Sequence, residues 1–298
     1  MEFGRLSATE LEEAHLKLPP DRLENDGVLS GRPFSHFELR VGCAKWGRPD
    51  WIGKIYPKGT RAGDFLEHYA RKFSCIELNA TFYRLPTRTQ TASWSRKVPD
   101  DFRFCPKFTG QITHLQRLKN THALTDRFLE GLSGFEKKLG PVFLLPHPVM
   151  GPKSAEIIMA FIDSLPRNLS LFVELRHPQW FADENAFNGF AAWLQQKNVG
   201  MVITDAAGRR DCLHMRLTTR QAFIRFVGNS LHPTDYQRCD DWIQRIRHWK
   251  NNGIESVYFF MHQHNELHSP ELCRYFILTC NTQLGTSIPV PEFINTNT

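Results

Sequence analysis

The sequence predicts an α/β fold, a single (β/α)8 TIM-like barrel preceded by an N-terminal extension. Three observations carry that prediction. Eight apolar or β-branched runs, at 37–44, 73–79, 102–108, 141–146, 170–176, 199–205, 222–227 and 255–262, recur roughly 23 to 39 residues apart, the length of a strand plus its crossover. Most intervals between them hold apolar residues at helical spacing. The chain has 298 residues, 41% of them hydrophobic, enough to bury one large core. Eight strand–helix units favour a closed barrel over an open doubly wound sheet.

Residues 1–36 are polar, carry Pro19-Pro20 and show a weak helical stretch around Ala8–Leu18, so they read as an extension wrapped on the body. Phe65, Leu66, Tyr69, Ala70 and Phe73 predict a helix capped by Asp64. Leu124, Phe128, Leu129, Leu132, Phe135 and Leu139 predict one running to Gly140-Pro141. Ile157, Ile158, Phe161, Ile162 and Leu165 form a stripe stopped by Pro166, and Phe187, Phe190, Ala191 and Leu194 form another after an Asp183 cap. Tyr236, Cys239, Trp242, Ile243, Ile246 and Trp249 give the clearest helix, closed by Gly253. Residues 206–221 carry no such stripe, so either the barrel is irregular at its sixth unit or eight is one too many. The barrel domain is taken as 37–285, with 286–298 as a C-terminal tail.

Composition narrows the function classes. No apolar run approaches the roughly 18 residues that span a bilayer, and the first residues lack the order of a signal peptide. Seven cysteines without Cys-x-x-Cys spacing predict reduced thiols and a cytoplasmic location. Twelve per cent aromatic residues argue against disorder. A formal charge of +6 permits nucleic acid or an anionic metabolite as partner without requiring either. Walker, Gly-x-Gly-x-x-Gly, zinc-finger and Gly-x-Ser-x-Gly patterns are all missing.

The chain is organised around residues 73–86, Phe-Ser-Cys-Ile-Glu-Leu-Asn-Ala-Thr-Phe-Tyr-Arg-Leu-Pro. Alternation puts Cys75, Glu77 and Asn79 on one face, towards the barrel interior, and Ile76 and Leu78 on the other, towards helices. Ile-Glu-Leu-Asn-Ala-Thr-Phe-Tyr, with Val-Gly-Cys-Ala-Lys-Trp-Gly upstream and Val-Glu-Leu-Arg-His-Pro-Gln-Trp-Phe downstream, resembles the YecE-like family, domain of unknown function seventy-two. The resemblance spans roughly residues 38–262. It implies a TIM barrel, favours the irregular barrel over a miscount, and implies no settled activity. Against the commoner pattern of that family, this chain has Leu144 for Gln, Val227 for His, and His-Gln-His-Asn in place of Phe-Asn-Asn after strand eight.

In TIM barrels the reacting groups stand at the carboxyl ends of the strands. Here those ends offer Trp46, Glu77, Asn79, Tyr83, Lys107, His114, Glu174, Arg176, Trp180, Asp205, Arg209, Arg225, His262 and His264. Glu77, Glu174, Asn79, His114 and Asp205 are the candidates for catalysis, the carboxylates for acid–base work. Two carboxylates in a mouth also suit glycoside hydrolysis, a weak signal without a separation. Arg176 shares a face with Glu174 and would hold it ionised; the simpler alternative is a structural pair closing the strand. Lys107, Arg176 and Arg225 end strands three, five and seven, and with Tyr83, Trp46, Arg209 and Trp180 they are the candidates for substrate binding. Arg176 and Arg225 are expected to hold an anion.

The loop 46–56 interleaves aromatics with cations and either stacks a ring or packs as a lid. The run 206–216 is the densest basic patch and either binds an anion or is solvated. Cys43 and Cys75 are read as core residues lining the interior. No cofactor is assigned; a metal at His262 and His264, helped by Glu77, Glu174 or Asp205, is weighed and set lower. The expected function is a metal-independent hydrolase or lyase acting on a small anionic or nucleotide-like ligand. A non-catalytic nucleic-acid-binding barrel and a metal-dependent barrel enzyme stay open. Nothing in the sequence sets the oligomeric state.

Overall fold

The computed structural model describes residues 3–294; residues 1–2 of the extension and 295–298 of the tail lie outside the described residues. Eight parallel strands form one sheet: β1 (Glu38–Cys43), β2 (Cys75–Leu78), β3 (Arg103–Pro106), β4 (Val142–Leu144), β5 (Leu171–Val173), β6 (Gly200–Ala206), β7 (Gln221–Gly228) and β8 (Ser256–Gln263). The order is β3-β2-β1-β8-β7-β6-β5-β4. The seam between β3 and β4 is closed by isolated bridges, Phe104 to Leu139 and Lys107 to Phe143, with the Phe108 amide donating to the Phe143 carbonyl at 3.0 Å. All eight runs read from the sequence are strands, and the (β/α)8 architecture holds.

Helices α1 (Ala8–Glu13), α2 (Phe65–Ala70), α3 (Ala80–Tyr83), α4 (Arg88–Ser95), α5 (His122–Leu132), α6 (Ala155–Asp163), α7 (Pro178–Ala182), α8 (Glu184–Gln196), α9 (Pro233–Asn252) and α10 (Ser269–Leu284) surround the barrel or precede it. Asp183 caps α8, its carboxylate accepting from the Ala186 amide at 2.9 Å. Gly253 ends α9 at φ 104°, where a Cβ would also come within 2.2 Å of the Ser30 hydroxyl. Two helix details differ from the sequence reading. Asp64 makes no capping hydrogen bond to α2. The stripe at 124–139 is not one helix: α5 gives way to a 3-10 turn, Ser133–Lys138. Gly131 and Gly134 there lie so close to Pro86, Arg88 and Thr91 that a Cβ would clash, so packing against the start of α4 decides the path.

Between β6 and β7 stands only the 3-10 turn Arg210–Cys212. The N-terminal extension packs against this segment instead. Leu11, Leu16 and Ala207 share a small apolar cluster, and buried Asn25 bonds the Met215 carbonyl and the Leu217 amide at 2.9 and 2.8 Å. Asp21 ties the extension to α9 through Arg245 and Trp249. The basic run is spent here. Arg210 bonds Asp205 and the Leu16 carbonyl, and buried Arg216 bonds the Leu217 carbonyl and Gln195.

Alternation separates two cores. Ile76, Leu78, Val257, Phe259 and Met261 pack outward against helices, while Cys75, Cys105, Phe143, Phe172, Val202, Phe223, Tyr258 and Phe260 fill the barrel. Cys43 is a correction: it faces α10, its Sγ 3.7 Å from that of Cys273, because Arg40 and Gly42 take the inward parity of β1. Among the described residues all seven cysteines are unpaired and buried, and no helix is long and apolar enough to cross a membrane.

Candidate functional site at the barrel mouth

The polar mouth sits directly on the apolar plug. Two residues beyond Cys75, Cys105, Phe172, Val202, Phe223 and Phe260 come Glu77, Lys107, Glu174, Thr204, Arg225 and His262, one strand repeat higher on the inward face. A floor of buried rings, cysteines and Val202 lies beneath these groups.

Arg225, 1% exposed, joins two glutamates. Its Nε and Nη2 donate to Glu77 Oε2 and Oε1, each at 2.8 Å, and its Nη1 donates to Glu174 Oε1 and Oε2 at 2.9 and 2.8 Å. Glu174 Oε1 also accepts from Arg176 Nε at 2.8 Å and Thr204 Oγ1 at 2.9 Å. Glu77 accepts from Asn79 Nδ2 at 2.8 Å, and its Oε2 lies 3.0 Å from His262 Nε2. On its other side, His262 Nδ1 is 3.6 Å from Glu266.

Burial opposes ionisation of both glutamates, but their cations outweigh it. Arg225 and His262 hold Glu77 well below the ordinary carboxylate range. Arg176, Arg225 and Lys107 hold Glu174 down to about 2. Burial likewise opposes the charge on His262, yet Glu77 and Glu266 raise its pKa. Three carboxylates, Glu77, Glu174 and Glu266, thus face two guanidinium groups, Arg225 and Arg176, and His262, whose charged form Glu77 and Glu266 favour.

Lys107 stands outside this balance. Its Nζ lies 4.3 Å from the Phe82 ring centre and 5.9 Å from that of Phe143, and it donates to no acceptor among the described residues. Burial first, then Arg225 and Arg176, bring it down to about 8. The His114 ring packs edge-on to the other partner of Lys107, Phe82, at 4.9 Å, and lies 5.1 Å from His147. Burial and the charge of Lys107 lower His114 to about 4. Beside Glu77 opens a cleft of about 310 Å³, lined by Lys45, Trp46, Asn79 and Tyr83 among others.

A family model for the protein of unknown function DUF72 matches residues 40–292. The chain belongs to the DUF72 family. It is 31% identical to the UPF0759 protein YecE of Escherichia coli K12 over 253 residues, 78% of this chain and 89% of that one. It is also 31% identical to the UPF0759 protein YunF of Bacillus subtilis 168 over 151 residues, 48% of this chain and 52% of the relative. Two solved DUF72 structures share the fold. EF0366 of Enterococcus faecalis V583 aligns at TM-score 0.66 and 16% identity, over 85% of this chain and all of that one. TM1631 of Thermotoga maritima MSB8 aligns at TM-score 0.60 and 20% identity, over 84% of this chain and all of that one.

In this DUF72 barrel the structure brings together Glu77, Asn79, Glu174, Arg176, Arg225 and Lys107, with His114 at the rim. Tyr83, 80% exposed, and Trp46, edge-on to Trp94 at 5.3 Å, line the cleft. Other candidates are corrected. Asp205 points outward from β6 and bonds Arg238 and Trp242 of α9, each at 2.7 Å, because Thr204 holds the inward parity. Trp180 is buried against Phe190 and donates to the Met150 carbonyl. Arg209 is held by Asp211 and reaches the Arg176 carbonyl. Arg225 has its fork filled by the two glutamates and is not an open anion site. Within the loop 46–56, Trp51 and Tyr56 are fully buried packing residues.

His262, weighed with His264 as a metal ligand, lies between the carboxylates of Glu77 and Glu266, which raise its pKa; His264 lies one residue beyond the end of β8, and among the described residues no three His, Cys, Asp or Glu side chains are grouped to hold an ion. Sequence reasoning missed Thr204, Glu266 and Phe82. For Thr204 a signal existed: counting parity back from Val202 would have exchanged it with Asp205.

Proposed function

We propose that the chain is an enzyme working at the carboxyl-end mouth of the barrel, a metal-independent hydrolase or lyase that takes a small anionic substrate. The observation that carries this reading is the charge arrangement: a closed set of three carboxylates against Arg225, Arg176 and His262, with Lys107 left over beside it. Arg176 binds Glu174 through Nε and Nη2, is 15% exposed, and is the cation best suited to meet a ligand's phosphate or carboxylate. The anion then neutralises the surplus charge.

Roles follow from protonation. Glu77 and Glu174, held ionised, are poor proton donors and serve as a fixed negative field for positive charge developing on the substrate. Proton transfer falls to Lys107, whose pKa of about 8 lies near neutrality, and to the neutral imidazole of His114. Tyr83 and Trp46 offer ring faces for an apolar or nucleobase-like part of the ligand.

Thermal denaturation with increasing sulfate or phosphate tests this reading. Wild type should gain stability saturably, and Arg176→Ala should keep its circular dichroism but lose that gain. An equal effect from sodium chloride at matched ionic strength in both proteins overturns it. Steeply salt-dependent binding of nucleic acids of many sequences, without anion saturation, would instead favour the non-catalytic barrel.

A further inference from the structure

Among the described residues two lysines, Lys107 and Lys138, are nearly buried, and they differ in one respect. Lys138 donates to the carbonyls of Ser95 and Val98, both at 2.8 Å, and lies 3.4 Å from Asp100. Lys107 has no acceptor among the described residues and no carboxylate within ion-pair distance; the nearby glutamates are occupied by Arg225, Arg176 and His262. Around it stand the rings of Phe82 and Phe143, the guanidinium groups of Arg225 and Arg176, and, beyond ion-pair distance, the carboxylates of Glu174 and Glu77. Burial and the two guanidinium groups disfavour the ammonium more than the Phe82 ring and the glutamates favour it, which leaves a reactive share of free amine near neutral pH.

We infer that Lys107 is a covalent nucleophile, condensing through Nζ with the carbonyl carbon of an aldehyde or ketone substrate whose anionic group lies on Arg176. This rests on the anion-binding reading of the mouth and narrows it to a lyase acting on carbonyl acids or carbonyl phosphates.

The step balances without an added reagent. The Nζ lone pair forms a bond to the carbonyl carbon, the C=O π pair moves to oxygen, and one amine proton passes to that oxygen to give a carbinolamine. Protonation of the hydroxyl by solvent and loss of one water then give the iminium. Glu77 and Glu174, ionised on the inward face with Lys107, stabilise the positive nitrogen so formed. The iminium withdraws electrons from the adjacent carbon, which is the activation a carbon–carbon or carbon–oxygen lyase needs. Hydrolysis by one water returns the amine. Support also comes from the lowered pKa of Lys107, since the free-base fraction near neutral pH sets the rate of addition.

The test traps the iminium. Full-length protein is incubated with glyoxylate, pyruvate or dihydroxyacetone phosphate and sodium cyanoborohydride, followed by intact mass and peptide mapping. The expected result is one reduced adduct per chain, on Lys107, formed with at least one of these carbonyl anions and suppressed by saturating sulfate. Lys107→Met and Lys107→Arg should both lose it while retaining wild-type circular dichroism. Adducts spread over exposed lysines, or none on Lys107 in wild type, overturn the inference whatever the variants do. If sulfate still stabilises wild type and not Arg176→Ala, the anion site stands and only the covalent step falls. Loss of both signals removes the anion-binding reading as well.

Discussion

Arg225 meets Glu77 side-on, with Nε and Nη2 each 2.8 Å from one carboxylate oxygen, across 148 residues of sequence. Both side chains are buried, and Arg225 spends its remaining nitrogen on Glu174. Removing the arginine leaves two buried carboxylates facing each other. Arg225→Met should therefore cost about 3–5 kcal/mol in urea denaturation. Adding Glu174→Gln to that variant should recover part of the loss; a purely additive second loss would show that the two sites are not coupled.

Lys107→Met should run the other way. The substitution replaces an unpartnered, nearly buried amine with an apolar side chain of similar length, and stability at pH 7 should rise by roughly 1–3 kcal/mol. In wild type, burial first and then Arg225 and Arg176, against the opposing pull of Glu174 and Glu77, bring its folded pKa to about 8, below the ordinary 10.5. The unfolded chain then binds more protons between those values, so this group adds stability as pH rises from 8 to 10.5. That rise should be missing in Lys107→Met. A destabilised variant with an unchanged alkaline limb would mean that the amine is structural.

Acid stability should fall in two stages. His214 is buried, and burial first, together with nearby Arg22 and Arg216, lowers it from 6.5 to about 4, so its contribution is lost as pH falls through that window. Glu174 contributes above its ordinary 4.5 and loses that contribution as pH falls towards 2. His262, raised above 6.5, works in the opposite sense: its contribution is complete below 6.5 and lost as pH rises through the folded value. Melting temperature against pH should decline below about 6.5. His214→Asn should flatten the first stage, and identical slopes in both proteins would assign that stage elsewhere.

Phe3 lies over two guanidinium groups, 4.1 Å from Arg176 and 4.9 Å from Arg209, measured from the guanidinium carbon to the ring centre. The Gly4 carbonyl next to it accepts from the Gly208 amide at 2.9 Å, so the extension reaches the mouth. Phe3→Ala uncovers Arg176. With a contact of roughly 0.5–1 kcal/mol removed, the sulfate midpoint should fall roughly two- to fivefold. An unchanged midpoint would mean that Phe3 and the anion do not compete for the same guanidinium.

Asp205→Ala should behave as a core lesion. It strips buried Arg238 of its close carboxylate partner and Trp242 of its acceptor, for about 3–5 kcal/mol by urea denaturation. Sulfate stabilisation, read below the new melting temperature, should keep its midpoint.

Much of this architecture is legible in the chain. Apolar runs at crossover spacing set eight strands, because each run must be buried and each interval has a helix or a substitute to cover it. Alternation within β2 set Glu77 inward and Ile76 outward, since a strand cannot turn successive side chains to one face. The same parity rule would have turned Asp205 outward and Thr204 inward, and choosing residues by their nearness to a strand end overrode it. The extension's place against 206–217 was not legible, because its contacts are hydrogen bonds from the Asn25 side chain to backbone groups and a few leucines without a repeating pattern.

What the sequence by itself determined was the set of groups that face the mouth: periodicity is a local property, and it assigns each side chain to a face. Which of those groups neutralise one another was decided only by the tertiary structure. The stagger of strands around the barrel brings β7 between β2 and β5 at the height of their glutamates, which fills the fork of Arg225 and leaves Lys107 without an acceptor. Coulomb and hydrogen-bond energies depend on separations of a few ångströms between residues distant in the chain, and no local pattern carries that information.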